Sequence, residues 1–247
     1  TVNLIDEEGG EAFAHFGDVT DSDDVEDLVS NTLNEYGRID SVVNYAGFLR
    51  DSMSFKMEKE DWDAVIDVHL TGHFNLLHEL GKHWREAYKE GGIDSPRSLT
   101  CISTEVAMGN PGQVNYSAAK AGVLGLTRTA ARELDQYDVR VNALMPAAAT
   151  RLVPEAVEDS LPVEKMEPER VARLALALSS DEAAEITGWT FGVGGDTVAT
   201  ATDPFFDRTA SKEGGWEATE LPEVIESLIG ERPSTKTGYN GMIDKLF

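Results

Sequence analysis

Cysteine is almost missing from these 247 residues: Cys101 stands alone, which excludes an internal disulfide framework and suits a reducing, cytoplasmic interior. It sits in a short apolar run, where a small buried hydrophobe is the simpler role than a nucleophile. Long hydrophobic runs are missing as well. No 18 consecutive apolar residues occur, so no helix of this sequence is expected to span a membrane. Basic residues are scarce, with 21 Lys plus Arg against 45 Asp plus Glu, and the formal charge of −24 is spread along the chain. That surface makes nucleic acid and anionic membranes improbable partners. Self-repulsion of this size is a lever that halophiles use, so a high-salt cytoplasm is the working hypothesis, and full stability at low salt would remove it. The sequence opens at Thr1 with neither an initiator Met nor a basic-apolar-small leader, and reads as the middle and end of a longer chain. Also missing is a glycine-rich turn between a strand and a helix, the usual cradle for a pyrophosphate; Gly194-Gly195 close a strand with no helix behind them.

What is present is an alternation of strand and helix patterns in a length that suits one α/β core. Thr1 to Glu8 fits a helix end closed by Gly9-Gly10, and Glu11 to Phe16 fits a strand. A helix is expected from an N-cap at Asp21 or Ser22 to Tyr36, with Gly37 ending it, and a strand from Ile39 to Asn44. A long helix from Glu60 to Lys89 carries Trp62, Val65, Ile66, Leu70, Phe74, Leu77 and Leu80 at core spacing. Leu99 to Ser103 reads as a buried strand, Asn115 to about Asp138 as a helix, and Val139 to Met145 as a strand. Arg151 to Met166 reads as a loop or short helical lid over the substrate. Pro168 to Ser179 is a helix with Val171, Leu174 and Leu176 to Leu178 inward, and Ile186 to Gly195 holds the last strand. Beyond Asp196 a tail with Phe205, Phe206, Trp216 and a short helix from Leu221 to Ile229 must cover the substrate mouth or a neighbouring subunit.

Tyr116 and Lys120 lie one helical turn apart, and Ser103 ends a strand 13 residues before Tyr116. A phenol with its ordinary pKa near 10 is a poor proton shuttle at pH 7; an ammonium close by favours the phenolate and lowers that value, making Tyr116 a usable acid or base. A hydroxyl at the strand end can hold a substrate oxygen beside it. Tyr-x-x-x-Lys alone is common on helices, and its weight here comes from Ser103, the strand before it and the strand after it.

Ser103, Tyr116 and Lys120, in this order and spacing, resemble the short-chain dehydrogenase/reductase family. Val68-His69-Leu70-Thr-Gly72-His-Phe74, Asp-Pro-Phe205 and Lys-Glu-Gly-Gly-Trp216 resemble its branch of 3-hydroxyacyl-CoA and 17-beta-hydroxysteroid dehydrogenases of multifunctional beta-oxidation enzymes. The resemblance implies a doubly wound, Rossmann-like parallel sheet whose first βαβ unit, with the glycine turn, would lie upstream of Thr1. It divides the chain into a catalytic domain over 1–196 and a tail over 197–247. It implies an oxidoreductase that interconverts a secondary alcohol and a ketone with NAD or NADP, on 3-hydroxyacyl thioesters or similarly extended alcohols, working as a homo-oligomer (dimer or tetramer). Ser103, Tyr116, Lys120 and His69 would be catalytic, with His69 where many relatives carry a proton-relaying Asn. Asp18, Val19, Asn44, Tyr45, Ala46, Gly47, Tyr116, Lys120, Ala149 and Thr150 would meet the cofactor. Tyr45 replaces a usual Asn, and Ala147 a usual Gly. Without the resemblance, Asp18 is equally a turn or cap residue.

His69 and His73, four apart, raise a metal reading, as does His78-Glu79 with His83, but the latter spacing is five rather than four and no further ligand completes a shell; no metal is expected. Asn115-Tyr116-Ser117 matches a glycosylation sequon and is discarded because it falls within the proposed site. A second class stays open: a non-catalytic, dehydrogenase-like partner subunit, for which the missing glycine turn and the changes at Tyr45, His69 and Ala147 speak.

Overall fold

The computed structural model describes residues 1–92, 94–150, 166–201 and 208–229. Among them β1 (Ser41–Asn44), β2 (Arg97–Ile102), β3 (Val139–Ala147) and β4 (Thr190–Gly194) run parallel in that order, and β5 (Thr197–Thr200) turns back antiparallel on β4. Helices make the parallel crossovers, as chain direction demands. α3 (Lys59–Ile66) and α4 (Gly72–Lys89) link β1 to β2, α5 (Val114–Leu134) links β2 to β3, and α6 (Pro168–Ser179) links β3 to β4. This is a doubly wound α/β architecture.

The two central strands are buried on both faces and alternate between them. Leu99 and Cys101 of β2 and Val139 and Val141 of β3 pack with Val25 and Val29 of α2 (Ser22–Tyr36), Leu80 and Trp84 of α4 and Val123 of α5. On the other face Ile102 and Leu144 meet Ala175 and Leu178 of α6. That face also holds polar groups that close the end of α6. Ser98 Oγ donates to the Leu178 carbonyl, and the Arg140 guanidinium donates to the carbonyls of Leu178, Ser180 and Ala183. A cation at a helix C-terminus satisfies orphan carbonyls and complements the helix dipole.

The punctuation of the sequence matches the ends of α1 (Val2–Glu7) and α2. Gly9 takes φ 83°, the Asp21 side chain accepts from the Asp23 N–H, and Gly37 closes α2 with φ 75°. Four expectations change. Residues 11–16 form no strand: β1 is the edge of the sheet, no further strand stands beside it among the described residues, and a parallel strand without a neighbour has no ladder to join. Phe16 is consequently 92% exposed. The long helix is interrupted by a π turn over Asp67–Thr71, which inserts an extra residue and rotates all that follows. The buried face then runs through His69, His73, Leu76, Leu80 and Trp84, while Phe74 is exposed. In α6 Val171, Ala175 and Leu178 are buried and Leu174 packs partly buried against them, while Leu176 points to solvent because 100° separates successive helical residues. Finally, β4 is not the last strand, since β5 carries the sheet past Asp196.

The tail holds α7 (Leu221–Ile229), with a Lys212–Glu220 ion pair at 2.7 Å beside it. Of the lid expected from Arg151 to Met166, residues 151–165 lie outside the described residues, as do Phe205 and Phe206. Among the described residues no helix is long and apolar enough to cross a membrane.

Candidate active site

The site forms where β1 and β2 end. Their register stops at Asn44 opposite Cys101, and the Ala46 N–H turns back to Asn44 Oδ1 at 3.0 Å instead of extending the ladder. The next carbonyl of β2, that of Ile102, is left for Lys120, whose Nζ donates to it at 2.6 Å. One residue on, the Ser103 N–H donates to the Leu144 carbonyl of β3, and Ser103 Oγ donates to the Lys120 carbonyl at 2.9 Å. Strand end and helix α5 are thereby joined twice, through the backbone and the side chain of Lys120.

Tyr116 is held from the other side. Asn115, fully buried, accepts from the Tyr116 N–H and donates to the carbonyls of Arg50 and Asp61. Gln113 donates to Asp51, and the Ser52 N–H donates to the Gly112 carbonyl at 2.8 Å. The segment after β1 is stitched in this way to the first turn of α5. Lys120 Nζ stands 5.6 Å from the centre of the Tyr116 ring, and the His69 ring meets that ring edge-on at 4.9 Å. His69 Nε2 is 2.8 Å from the Phe48 carbonyl. Ser103, Tyr116, Lys120 and His69, together with Asn44 to Phe48, therefore converge.

The electrostatics differ from the expectation that Lys120 lowers the Tyr116 pKa. Burial pushes Tyr116 up to about 12, with the carboxylates of Glu105 and Asp51 adding to it. Lys120, buried with its ammonium on one carbonyl, is pushed down to about 7 by desolvation. Two charged forms deprived of water both retreat toward neutrality, and at this separation desolvation outweighs their attraction. His69 falls to about 4, through burial first and the Lys120 charge second, and is neutral at pH 7. His73 falls to about 3 for the same reasons.

The family described as Enoyl-(Acyl carrier protein) reductase matches residues 1–195. The chain is 37% identical over 232 residues to the hydroxyacyl-CoA dehydrogenase ChsB1 of Mycobacterium tuberculosis, covering 91% of this chain and 73% of that protein. It is 41% identical over 197 residues to a 3-oxoacyl-[acyl-carrier-protein] reductase of Synechocystis, covering 77% of each. This chain belongs to the short-chain dehydrogenase/reductase family. A crystal structure of a short chain dehydrogenase from Mycobacterium avium superposes with a TM-score of 0.85 at 35% identity, covering 94% of this chain and 78% of that one.

The remaining residues that the dehydrogenase resemblance singled out are less closely tied to Tyr116. Asp18 is a turn residue here: its Oδ1 accepts from the Thr20 N–H, which holds its carboxyl below the usual range, and its own N–H bonds Asp24. Val19 packs on Gly72, where a Cβ would stand 2.7 Å from its Cγ2, so this turn leans on the π turn. Tyr45 is half-exposed. The Ala149 N–H donates to the Met166 carbonyl at 2.7 Å, and Ala149 packs with Ala147, Met166 and Ala199; Thr150 follows directly. Among the described residues no three His, Cys, Asp or Glu side chains converge as a metal site needs. Two side chains that sequence reasoning did not place at the site belong to it. Glu105, buried two residues after Ser103, had no sequence signal; His73 carried one, its four-residue spacing from His69, which puts both rings on one face of the helix.

Proposed function

We propose that this chain carries the hydroxyl-handling half of an NAD(P)-dependent oxidoreductase that interconverts 3-hydroxyacyl and 3-oxoacyl thioesters. The observation that carries the proposal is the joining of Ser103, Tyr116 and Lys120 at the end of β2, with His69 against the phenol. The names of the relatives support the substrate class. Asn44 Nδ2 is buried without a partner, Gly47 presents backbone where no Cβ fits, and Lys120 has N–H groups beyond the one on Ile102. These suit the nicotinamide and ribose end of a dinucleotide beyond the carboxyl ends of the strands, with Lys120 and Asn44 holding it. The pyrophosphate end would need the glycine turn, which these 247 residues do not contain.

The bound nicotinamide would exchange hydride with the substrate carbon. In the reductive direction the neutral Tyr116 phenol donates its proton to the substrate oxygen, Ser103 orients that oxygen, and Lys120, half-protonated near pH 7, returns a proton to Tyr116. His69, neutral and between Phe48 and Tyr116, passes protons by exchanging its ring nitrogens. Asp18, Val19, Tyr45, Ala46, Ala149 and Thr150 are proposed to line the rest of the cofactor cleft. The exposed Phe74, stacked on His78 on the outer side of α4, supports a homo-oligomer.

Turnover of a 3-oxoacyl thioester with NADH or NADPH tests the reading, and Tyr116→Phe is expected to lower kcat by about 10²–10⁴-fold. A variant that keeps full activity would overturn the mechanism. The changed residues Tyr45, His69 and Ala147 favour a second reading, a partner subunit without catalysis. Calorimetry that detects neither NADH nor NADPH binding, together with no turnover, decides for it.

A further inference from the structure

His73 is not accounted for by that mechanism. It is 1% exposed and lies one turn after His69, on the same inward face, just past the π turn. Its Nε2 accepts from the Ile102 N–H at 3.2 Å. The carbonyl of the same residue accepts from Lys120 Nζ at 2.6 Å, and the next residue is Ser103. An imidazole that accepts at Nε2 carries its proton on Nδ1, so the contact exists only in neutral His73. Its base is itself held: Asn75, two residues on, donates to the carbonyls of Val19 and Thr20, and Val19 fills the space over Gly72.

We propose that His73 is a positioning residue that fixes Ile102 and, through it, the Lys120 ammonium and the Ser103 hydroxyl. The inference rests on the reading of Lys120 and Ser103 given above. The chain of contacts is continuous: π turn, His73 ring, Ile102 backbone, Lys120 side chain, and from the Lys120 carbonyl back to Ser103 Oγ. Without an acceptor at residue 73 the Ile102 carbonyl is free to drift from Nζ, and a small misplacement of a reacting group is worth up to about 10²-fold in rate.

The groups that act electrostatically on Lys120 or lie against it are Cys101 on β2, His69 and His73 on the π turn and α4, and Tyr116 on α5. The test compares His73→Leu, which removes the acceptor, with His73→Gln, whose amide oxygen restores one. Two readouts are used: steady-state kinetics with a 3-oxoacyl thioester, and the pH titration of the Lys120 ε-carbon by NMR in ¹³C-lysine protein, assigned with Lys120→Arg. For His73→Leu we expect kcat to fall about 10-fold or more with KM within about 3-fold, and the Lys120 midpoint to drop by about half a unit or more. His73→Gln is expected to recover both. A folded His73→Leu with unchanged kcat and midpoint overturns the proposal, as does a His73→Gln that falls equally far with the Lys120 titration unmoved. If His73→Leu does not fold, His73→Ser, which leaves room but cannot reach, takes its place under the same criteria. If the protein shows no turnover, the Lys120 titration still judges His73, so failure of the catalytic reading and failure of this one are separable.

Discussion

Gly47 lies so close to the His69 ring that a Cβ built on it would stand 2.3 Å from Cε1 and 3.1 Å from Nδ1. The glycine is required here by the ring above it rather than by a left-handed backbone. Gly47→Ala must displace His69, and His69 is packed edge-on to Tyr116 at 4.9 Å. Overpacking of this kind costs about 1–3 kcal/mol. Urea unfolding is expected to show that loss, and turnover to fall with it; unchanged stability would mean that the His69 ring does not close the space over Gly47.

Tyr116, raised to about 12 by burial and by Glu105 and Asp51, is protonated at neutral pH, the form in which the proposed mechanism uses it as an acid. Glu105→Gln removes one neighbouring negative charge and is expected to lower the Tyr116 pKa toward its ordinary 10. Difference absorbance of the phenolate, with Tyr116→Phe as the blank, measures it. A titration identical to that of the parent would show that the carboxylate does not act on the phenol.

His69 and His73 have folded pKa values of about 4 and about 3, below the ordinary 6.5. A depressed folded value means that between 6.5 and the folded pKa the unfolded chain takes up protons that the folded chain refuses. Stability contributed above pH 6.5 is therefore lost as pH falls through 4 and 3, by about a few kcal/mol in total. Urea midpoints from pH 7 to pH 4 should show the decline, and His69→Asn should flatten part of it.

Lys120, at about 7 when folded against an ordinary 10.5, acts over a different window. Between those values only the unfolded chain holds the proton, so stability rises with pH from about 7 to 10.5. Lys120→Met should remove that rise. A parent and variant with parallel stability profiles from pH 7 to pH 10 would contradict the buried, largely neutral lysine.

The charge of −24 is the least local property of the chain. Surface carboxylates repel over distances that about 1 M salt shortens to about 3 Å. The unfolding temperature is expected to rise when NaCl is raised from about 0.05 M to about 1 M, and a flat response would dispose of the high-salt hypothesis.

Most of the scaffold was legible in the residues because each signal was local. Asp21 and Gly37 bracket α2 through bonds made within a few residues, and the apolar runs of β2 and β3 bury on both faces as such runs do. Ser103, Tyr116 and Lys120 were visible as a spacing and His69 through the family resemblance; in the structure Ser103 bonds the Lys120 carbonyl, and Lys120 and His69 both lie against Tyr116. Residues 11–16 are no strand because a strand is a property of two segments, and among the described residues no second one stands beside them.

Residue order alone sets the alternation of helices and strands, the turn that pairs Tyr116 with Lys120, and the acidic surface, because periodicity, caps and net charge are written along the chain. Which way the protons lean is settled only by folding. The desolvation that raises Tyr116 and lowers Lys120 exists only once Ile102, Glu105 and Asp51 are folded around them. The outward turn of Phe74 was likewise out of reach, since it follows one wide turn at Asp67–Thr71, packed under Val19, that no helical repeat announces.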